Sequence, residues 1–251
     1  MSGRTRLRAA LAALFAVFLG TVAARADGID LLLVLAADVS RSINDEEFNL
    51  QRKGYASALT DPRVLRAIDG GPHQAIALTF IEWSGATDQK IVVDWTVVHD
   101  EEDAGAIAAA ILAAPRSFLS RTSISAAIDY SMERLGVGPG PVERRVIDIS
   151  GDGTSNAGRL VTDARDEAVH QGVTINGLAI INNQINPGFA LHTQPPGGLP
   201  NYYKENVIGG PGAFLLVVED FESFADAMTR KLVTEIALQS TPQRAAALKL
   251  P

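Results

Sequence analysis

Cysteine is absent from the 251 residues of the sequence. Its absence excludes a disulfide framework, thiolate metal sites and thiol nucleophiles. The fold must therefore be held together by its hydrophobic core, and a chain of this length with 47% hydrophobic residues has enough apolar side chains to build one. The length favours one large α/β domain over two small ones.

Long apolar runs are also missing, except near the N-terminus. Arg4, Arg6 and Arg8 make a positive start, residues 9–24 form an uncharged apolar run, and Ala24-Arg25-Ala26 offers small residues at the two positions that determine cleavage. This order is typical of a secretory signal peptide, so we predict that residues 1–26 are removed and that the protein is exported, to the periplasm or beyond the cell. The alternative is an uncleaved membrane anchor, for which the run is short. After cleavage we expect no stable insertion into a membrane.

Basic residues become scarce once the predicted signal peptide is removed. That segment holds four arginines and no acid, so its loss leaves 18 basic against 29 acidic residues, a formal charge of −11. A surface of this charge repels nucleic acid and anionic lipid. We therefore expect no nucleic-acid partner, whereas the negative charge is compatible with cation binding.

Apolar runs that alternate with helical patterns define the predicted elements. Residues 30–37 form a continuous apolar run, which is typical of a strand buried on both faces. Asn44, with Glu47 three residues later, predicts a capping box at the start of the first helix. The predicted strands cover residues 30–37, 75–83, 90–98, 145–150, 173–181 and 213–218, and the predicted helices cover residues 45–59, 101–114, 123–135, 160–171 and 221–237.

These elements predict a doubly wound α/β fold with a mostly parallel, six-stranded sheet and helices on both faces. The short link between the second and third strands predicts a hairpin, so one edge strand is expected to be antiparallel. The domain is predicted to span residues 27–238, and residues 239–251 are predicted to form a disordered tail. Residues 182–212, rich in proline, glycine and asparagine, are predicted to form a long loop.

Oxygen-bearing side chains occur at three places where this fold binds ligands, beyond the carboxyl ends of the strands. The first strand is followed by Asp38, Ser40 and Ser42, whose spacing of two residues places them on one side of a turn. Thr122 precedes a predicted helix, and Asp152 follows the fourth strand. These five residues are the candidate metal ligands.

Hard oxygen ligands of this kind suit Mg²⁺ best, with Mn²⁺ or Ca²⁺ as alternatives, rather than zinc or copper. Two carboxylates and three neutral hydroxyls bind such an ion only partially, so water completes the shell. An acidic group from a partner can displace one water, because the protein under-neutralises the ion.

The pattern Asp-x-Ser-x-Ser, followed by Thr122 and then by Asp152 at a strand end, resembles the metal-ion-dependent adhesion site (MIDAS) of von Willebrand factor A (vWA) domains. The resemblance covers residues 30–237 in motif order and element order, and it implies a vWA-like, Rossmann-like sheet. It also implies that Ser40, Ser42 and Thr122 are hydroxyl ligands, and that Asp38 and Asp152 act partly through water. Residues 201–214 further resemble a group of exported bacterial proteins that carry this domain without an assigned function, the DUF1194-type group.

Two enzyme classes share parts of the pattern. Asp38, His73 and Ser155 occur in the order of a subtilisin-like protease, but His73 lacks that family's helix start and Asn156 replaces the expected methionine. A haloacid-dehalogenase-like phosphatase needs a second aspartate as general acid, at the position where this sequence has Ser40. We therefore expect neither activity.

Structural roles are expected for most of the remaining candidates. Asp148 lies inside the fourth predicted strand, and the two tryptophans are expected to pack in the hairpin region. No histidine among His99, His170 and His192 shows metal-ligand spacing, so solvated or capping roles are expected. For Tyr202 and Tyr203, a partner contact and a loop anchor are equally open.

The leading hypothesis is a metal-dependent module that recognises a protein or another acidic ligand without catalysing a reaction. The alternative is a phosphoesterase-like hydrolase that uses the same metal as a Lewis acid, although the sequence offers no convincing general base near the motif. A third hypothesis is a structural domain whose metal site is empty.

Overall fold

The computed structural model describes residues 28–181 and 190–237, which form one six-stranded sheet in the order β3-β2-β1-β4-β5-β6. The strands are β1 (Leu31–Asp38), β2 (Ile76–Trp83), β3 (Gln89–Val98), β4 (Arg145–Gly151), β5 (Thr174–Ile180) and β6 (Leu215–Val218). β2 and β3 pair antiparallel, and the other neighbouring strands pair parallel. The predicted mostly parallel sheet with one antiparallel edge strand is confirmed.

Helices cover both faces of this sheet. They are α1 (Asp45–Leu59), α2 (Pro62–Asp69), α3 (Glu101–Ala113), α4 (Ile124–Gly136), α5 (Val161–His170), α6 (Ala190–Thr193), α7 (Leu199–Asn206) and α8 (Phe224–Ala237). Successive residues of a strand point to opposite faces. Leu31, Leu33 and Leu35 therefore pack under α1, α2, α3 and α8, while Leu32 and Val34 pack under α4, α5 and α7. Burial on both faces explains why β1 is apolar throughout.

The capping box predicted at the start of α1 is confirmed. Asn44 Oδ1 accepts hydrogen bonds from the N–H groups of Glu46 and Glu47, at 2.9 and 3.0 Å. The Glu47 carboxylate in turn accepts the Asn44 N–H at 2.8 Å. These bonds fix where the turn after β1 ends and the helix begins.

A helix that the sequence analysis does not predict, α2, follows α1 almost directly. Pro62 is the first residue of α2, a position that suits proline because the first turn of a helix needs no N–H from its own residues. Asp61 caps α2 by accepting the Arg63 N–H at 2.7 Å. Only Thr60 and Asp61 thus separate α1 from α2.

The continuous loop predicted over residues 182–212 is wrong, because α6 and α7 lie within it. Residues 182–189 of that range are outside the described part. Gly198 and Pro200 mark the start of α7, and Leu199, Tyr203 and Val207 are buried at helical spacing. The composition suggested a loop because it contains Gly198 and Pro200. These two residues stand at the beginning of a short amphipathic helix rather than in its middle.

The predicted signal peptide (residues 1–26) and the predicted tail (residues 239–251) lie outside the described residues. Within the described ranges, no helix combines the length and the apolar character needed to cross a bilayer.

The order of the strands reverses next to β1. The chain adds β2 and β3 on one side of β1, and then β4, β5 and β6 on the other. The connections that leave β1 and β4 therefore diverge. They leave a gap, the switch point of the sheet, at the carboxyl ends of these two strands. Asp38 is the last residue of β1 and Asp152 directly follows β4, so both lie at this switch point.

A buried cluster of charges joins α8 to the sheet. Lys231 Nζ lies 2.9 Å from Asp148 Oδ1 and 2.5 Å from Glu235 Oε1, and all three side chains are fully buried. Asn176 Nδ2 donates to Glu235 Oε1 at 2.7 Å. Burial raises the pKa of Asp148 to about 7, whereas the pKa of Lys231, which burial alone would lower, is raised by the two carboxylates. Asp148 thus has a structural role as the partner of Lys231, which links β4 to α8.

We expect Lys231→Met to destabilise the protein by about 3–5 kcal/mol, because two buried acidic groups lose their cation. Arg230→Met is the matched control: its side chain is 60% exposed, so the loss should stay within about 0.5 kcal/mol. Urea unfolding followed by circular dichroism measures both, and equal small losses would contradict the prediction. Adding Glu235→Gln to Lys231→Met should restore part of the stability.

Candidate metal centre

The turn after β1 arranges the first three predicted ligands. The Ser40 N–H donates to Asp38 Oδ1 at 2.7 Å, an Asx-type turn. The hydroxyl oxygens of Ser40 and Ser42 lie 3.2 Å apart, and Ser42 Oγ donates to Asp152 Oδ1 at 2.6 Å. Asp38, Ser40 and Asp152 are buried, and Ser42 is half-buried. The fold therefore joins the ends of β1 and β4 in one hydrogen-bonded group.

Arg116, which the sequence analysis does not identify, holds this turn in place. Its Nη2 donates to the carbonyl oxygens of Val39, Ser40 and Ile43 at 2.7–2.8 Å. Carbonyls that leave a sheet need new partners when they are not in water. The Arg116 guanidinium is the hydrogen-bond partner of three such carbonyls. It therefore fixes the backbone that carries Asp38, Ser40 and Ser42.

The loop before α4 presents Thr122, whose side chain is buried. The Thr122 N–H donates to Asn156 Oδ1 at 3.0 Å, and the Asn156 N–H donates to the Thr122 carbonyl at 2.8 Å. Ser84, just after β2, holds the other side of the loop: its hydroxyl donates to the Arg121 carbonyl at 2.9 Å and accepts the Ser120 N–H at 3.0 Å. Thr122 is thus positioned by the segments that follow β2 and β4.

Asp152 lies between two glycines that leave room for neighbouring side chains. A Cβ on Gly151 would lie 2.7 Å from the Tyr203 hydroxyl oxygen and 3.0 Å from Asp38 Oδ2. A Cβ on Gly153 would overlap the ring of His192. Glycine is therefore required on both sides of Asp152 because other site residues pack directly against this backbone.

Asp38 and Asp152 are two buried carboxylates whose charges repel each other. Burial is the main reason that the pKa of Asp38 rises to about 8, and the Asp152 carboxylate adds to the rise. The hydrogen bonds from Ser40 and the charge of Arg116 oppose it without cancelling it. A positive charge between the two carboxylates would relieve this repulsion.

The polar atoms of the site fit a divalent cation with its water. Asp38 Oδ2 and the Tyr203 hydroxyl are buried without a hydrogen-bond partner among the described residues, which is uncommon in folded proteins. Within the same ranges, no three His, Cys, Asp or Glu side chains cluster as a metal site. The candidate donors are two carboxylates and three hydroxyls, a set that suits a hard cation.

His192, for which a solvated or capping role was expected, instead contacts the site. Its Nε2 lies 3.1 Å from Thr122 Oγ1, and its Nδ1 lies 3.3 Å from Thr154 Oγ1. Burial, assisted by Arg41, lowers the pKa of His192, which keeps the ring neutral at pH 7. With the ring proton on Nδ1, Nε2 accepts the Thr122 hydroxyl proton and leaves the lone pairs of that oxygen for a cation.

Tyr202 and Tyr203 both anchor α7 to the site. Tyr203 is fully buried, and burial together with the charges of Asp38 and Asp152 raises its pKa well above the ordinary value, so its hydroxyl stays protonated. The Tyr202 hydroxyl accepts the Ser155 N–H at 3.1 Å while its ring stays half-buried. The anchoring role is therefore present for both residues.

The residues of the protease-like pattern do not assemble. The His73 N–H donates to the Asp30 carboxylate at 3.1 Å, at the amino end of β1, whereas Asp38 and Ser155 lie beyond the carboxyl ends of the strands.

Trp83 is fully buried, as expected for a core residue. Trp95 is half-buried and donates to the Arg134 carbonyl at 3.0 Å.

Solved structures with the same fold include a von Willebrand factor type A protein and a protein with a MIDAS motif. Proximal thread matrix protein 1 of the mussel byssus, in a structure with a zinc-occupied MIDAS motif, is 17% identical with a TM-score of 0.56, over 84% of this chain and 48% of that chain. A von Willebrand factor type A protein from Catenulispora acidiphila is 10% identical with a TM-score of 0.56, over 83% and 43%. BatB from Bacteroides thetaiotaomicron is 15% identical with a TM-score of 0.54, over 83% and 99%. The fold is that of a vWA domain.

The chain spans about half the length of the mussel protein that it matches. No curated protein sequence matches it. Residues 28–240 match the family described as "Protein of unknown function (DUF1194)", which covers the whole described domain.

We expect Gly151→Ala to destabilise the protein by about 1–3 kcal/mol, because the new Cβ must displace Tyr203 or Asp38. Gly105→Ala is the control: nothing lies within 4 Å of its Cβ position, and alanine in the middle of α3 should stabilise by about 0.5–1 kcal/mol. Urea unfolding measures both. Equal stability of Gly151→Ala and the wild type would show that Tyr203 does not pack against this backbone.

The raised pKa of Asp38 predicts a pH-dependent stability of the metal-free protein. Between about pH 4 and 8 the unfolded state releases the Asp38 proton while the folded state retains it, so the free energy of unfolding falls as pH rises through this window. Asp38→Asn cannot ionise and should lose less stability than the wild type between pH 5 and pH 8. Urea unfolding in chelator tests this, and identical pH slopes would refute it.

Proposed function

Because the chain belongs to the DUF1194 family, which is defined without an assigned function, we propose its role from the site: a metal-dependent module that binds a protein or another acidic ligand through a MIDAS. The observation that supports this most strongly is the hydrogen-bonded group of Asp38, Ser40, Ser42 and Asp152 at the switch point of the sheet. Thr122 lines the same cleft as Ser42.

In this proposal Ser40, Ser42 and Thr122 offer hydroxyl oxygens to the cation, and the two aspartates hold it directly or through water. Mg²⁺ is the preferred ion, and Mn²⁺ or Ca²⁺ can replace it. The mussel neighbour holds zinc in its MIDAS motif, which supports a divalent cation at the corresponding position here. The bound ion supplies an electrophilic position that attracts a carboxylate from a partner.

Recognition rather than catalysis is proposed because, in residues 28–181 and 190–237, the imidazole at the site is already engaged by two hydroxyls. His192 is the nearest imidazole, and both of its nitrogens face hydroxyls, those of Thr122 and Thr154. A general base must reach the proton that it removes. Steady turnover of p-nitrophenyl phosphate that disappears in Asp152→Ala would instead favour the hydrolase alternative.

Export is part of the same proposal. The N-terminal order of three arginines, an apolar run and a small-residue cleavage site supports delivery to the periplasm, or to the exterior. The absence of cysteine from the sequence is compatible with an oxidising compartment, because there is no thiol to oxidise.

Metal titration tests the proposal directly. A ligand that binds only the folded state raises its stability, by about 2.7 kcal/mol when it is present at a hundred times its dissociation constant. We expect Mg²⁺ or Mn²⁺ to raise the melting temperature of chelator-treated wild-type protein, and to leave that of Asp38→Ala unchanged. Differential scanning fluorimetry measures this.

Asp45→Asn is the control for this titration. It removes a carboxylate that is 93% exposed and pairs with Arg116 at 3.4 Å, outside the proposed ligand set. Its metal-dependent shift should match that of the wild type. Equal shifts in wild type and Asp38→Ala would refute the metal site.

A further inference from the structure

Two depressions on the carboxyl edge of the sheet meet at Asn156. A narrow cleft is lined by two of the candidate ligands, Ser42 and Thr122, and is flanked by Arg41, Arg121 and His192. A wider crevice of about 600 Å³ lies between the start of α5 and α7, and is lined by Leu160, Tyr202 and Asn206 among others. Asn156 lines both. The cleft and the crevice are therefore neighbours, with Asn156 between them.

The crevice offers both an apolar contact and backbone hydrogen-bond donors. Leu160 is 68% exposed although its neighbours Val161 and Ala164 are buried. Leu160 also occupies the N-cap position of α5, where its hydrocarbon side chain makes no cap hydrogen bond. The first-turn N–H groups of a helix need acceptors, and a carbonyl from a bound chain is a suitable one.

The rim of the cleft is basic, in contrast to the chain as a whole, which carries a formal charge of −7. Arg41 and Arg121 are both exposed there. Arg121 donates to the Asn156 carbonyl at 2.6 Å and makes no ion pair with an acid among the described residues. A positive rim on a negative protein favours an anionic ligand at this one position.

We propose that the cleft and the crevice together bind an extended acidic peptide segment of a partner protein. The segment places a carboxylate at the metal, and a nearby apolar side chain of leucine size packs on Leu160 in the crevice. Its backbone carbonyls approach the uncapped start of α5. This inference rests on the proposed function, which it extends by naming the sequence character of the partner.

The combination favours a peptide over a small anion. A free carboxylate or phosphate would use the metal and the arginines but would leave Leu160 and the start of α5 without contacts. An extended chain presents side chains and backbone carbonyls together, as recognised peptides do. The crevice therefore determines which acidic segments bind, while the metal determines that the segment is acidic.

A phage-displayed library of random linear heptapeptides tests this. The full chain is immobilised with Mg²⁺, bound phage are eluted with chelator, and enriched sequences are read for wild type and for Leu160→Ala. We expect wild type to enrich an aspartate or glutamate at a constant distance from a leucine, isoleucine, methionine or phenylalanine. Leu160→Ala should retain the acidic position and lose the apolar one.

Synthetic versions of an enriched peptide then give affinities by fluorescence anisotropy. Leu160→Ala should weaken binding about tenfold, because one apolar contact is lost. Leu112→Ala is the control, since Leu112 is 52% exposed on α3, away from both depressions, and its affinity should not change. Leu160→Asp should weaken binding further while it caps α5 and preserves folding, which separates a binding defect from instability.

Acidic sequences without an apolar position, or an unchanged motif in Leu160→Ala, would overturn the peptide inference and leave the metal-dependent module intact. The same holds if the wild type shows its metal-dependent thermal shift but enriches no chelator-eluted sequence. Loss of that thermal shift would overturn the proposed function, and this inference with it.

Discussion

Repulsion between Asp38 and Asp152 is the constraint around which the carboxyl edge of the sheet is organised. Each carboxylate is buried, and the pKa of Asp38 rises to about 8 as a result of burial and of its neighbour's charge. Burying such a pair costs free energy unless a cation or further hydrogen bonds compensate it. The protein supplies part of that compensation through Ser40 and Ser42, and a divalent ion would supply the rest.

The surroundings are built to keep this pair in place. Arg116 binds three carbonyls of the turn after β1, and Asn156 and Ser84 hold the loop that carries Thr122. Gly151 lets the Tyr203 hydroxyl approach the aspartates. A rigid arrangement matters because a metal site must hold its ligands in position before the ion binds.

How much the sequence could predict differs between the elements and the site. The strands, their mostly parallel pairing and the capping box at Asn44 follow from local patterns, since apolar continuity and cap spacing act over a few residues. The same holds for the five ligand candidates, whose spacing resembles a known motif. α2 and α7 could not be predicted this way, because Pro62 and Pro200 occur at helix starts as readily as in loops.

The sequence by itself therefore determined the fold class and the chemistry of the donor atoms, because both depend on residue type and short spacing. Only the tertiary structure decided which side chains support those donors. Arg116 and His192 carry no local signal, and they join the site because distant segments of the chain fold back onto it. The Asp-x-Ser-x-Ser turn after β1 is thus recognisable from its sequence, but the long-range contacts around it give it its geometry and its exposed, basic rim.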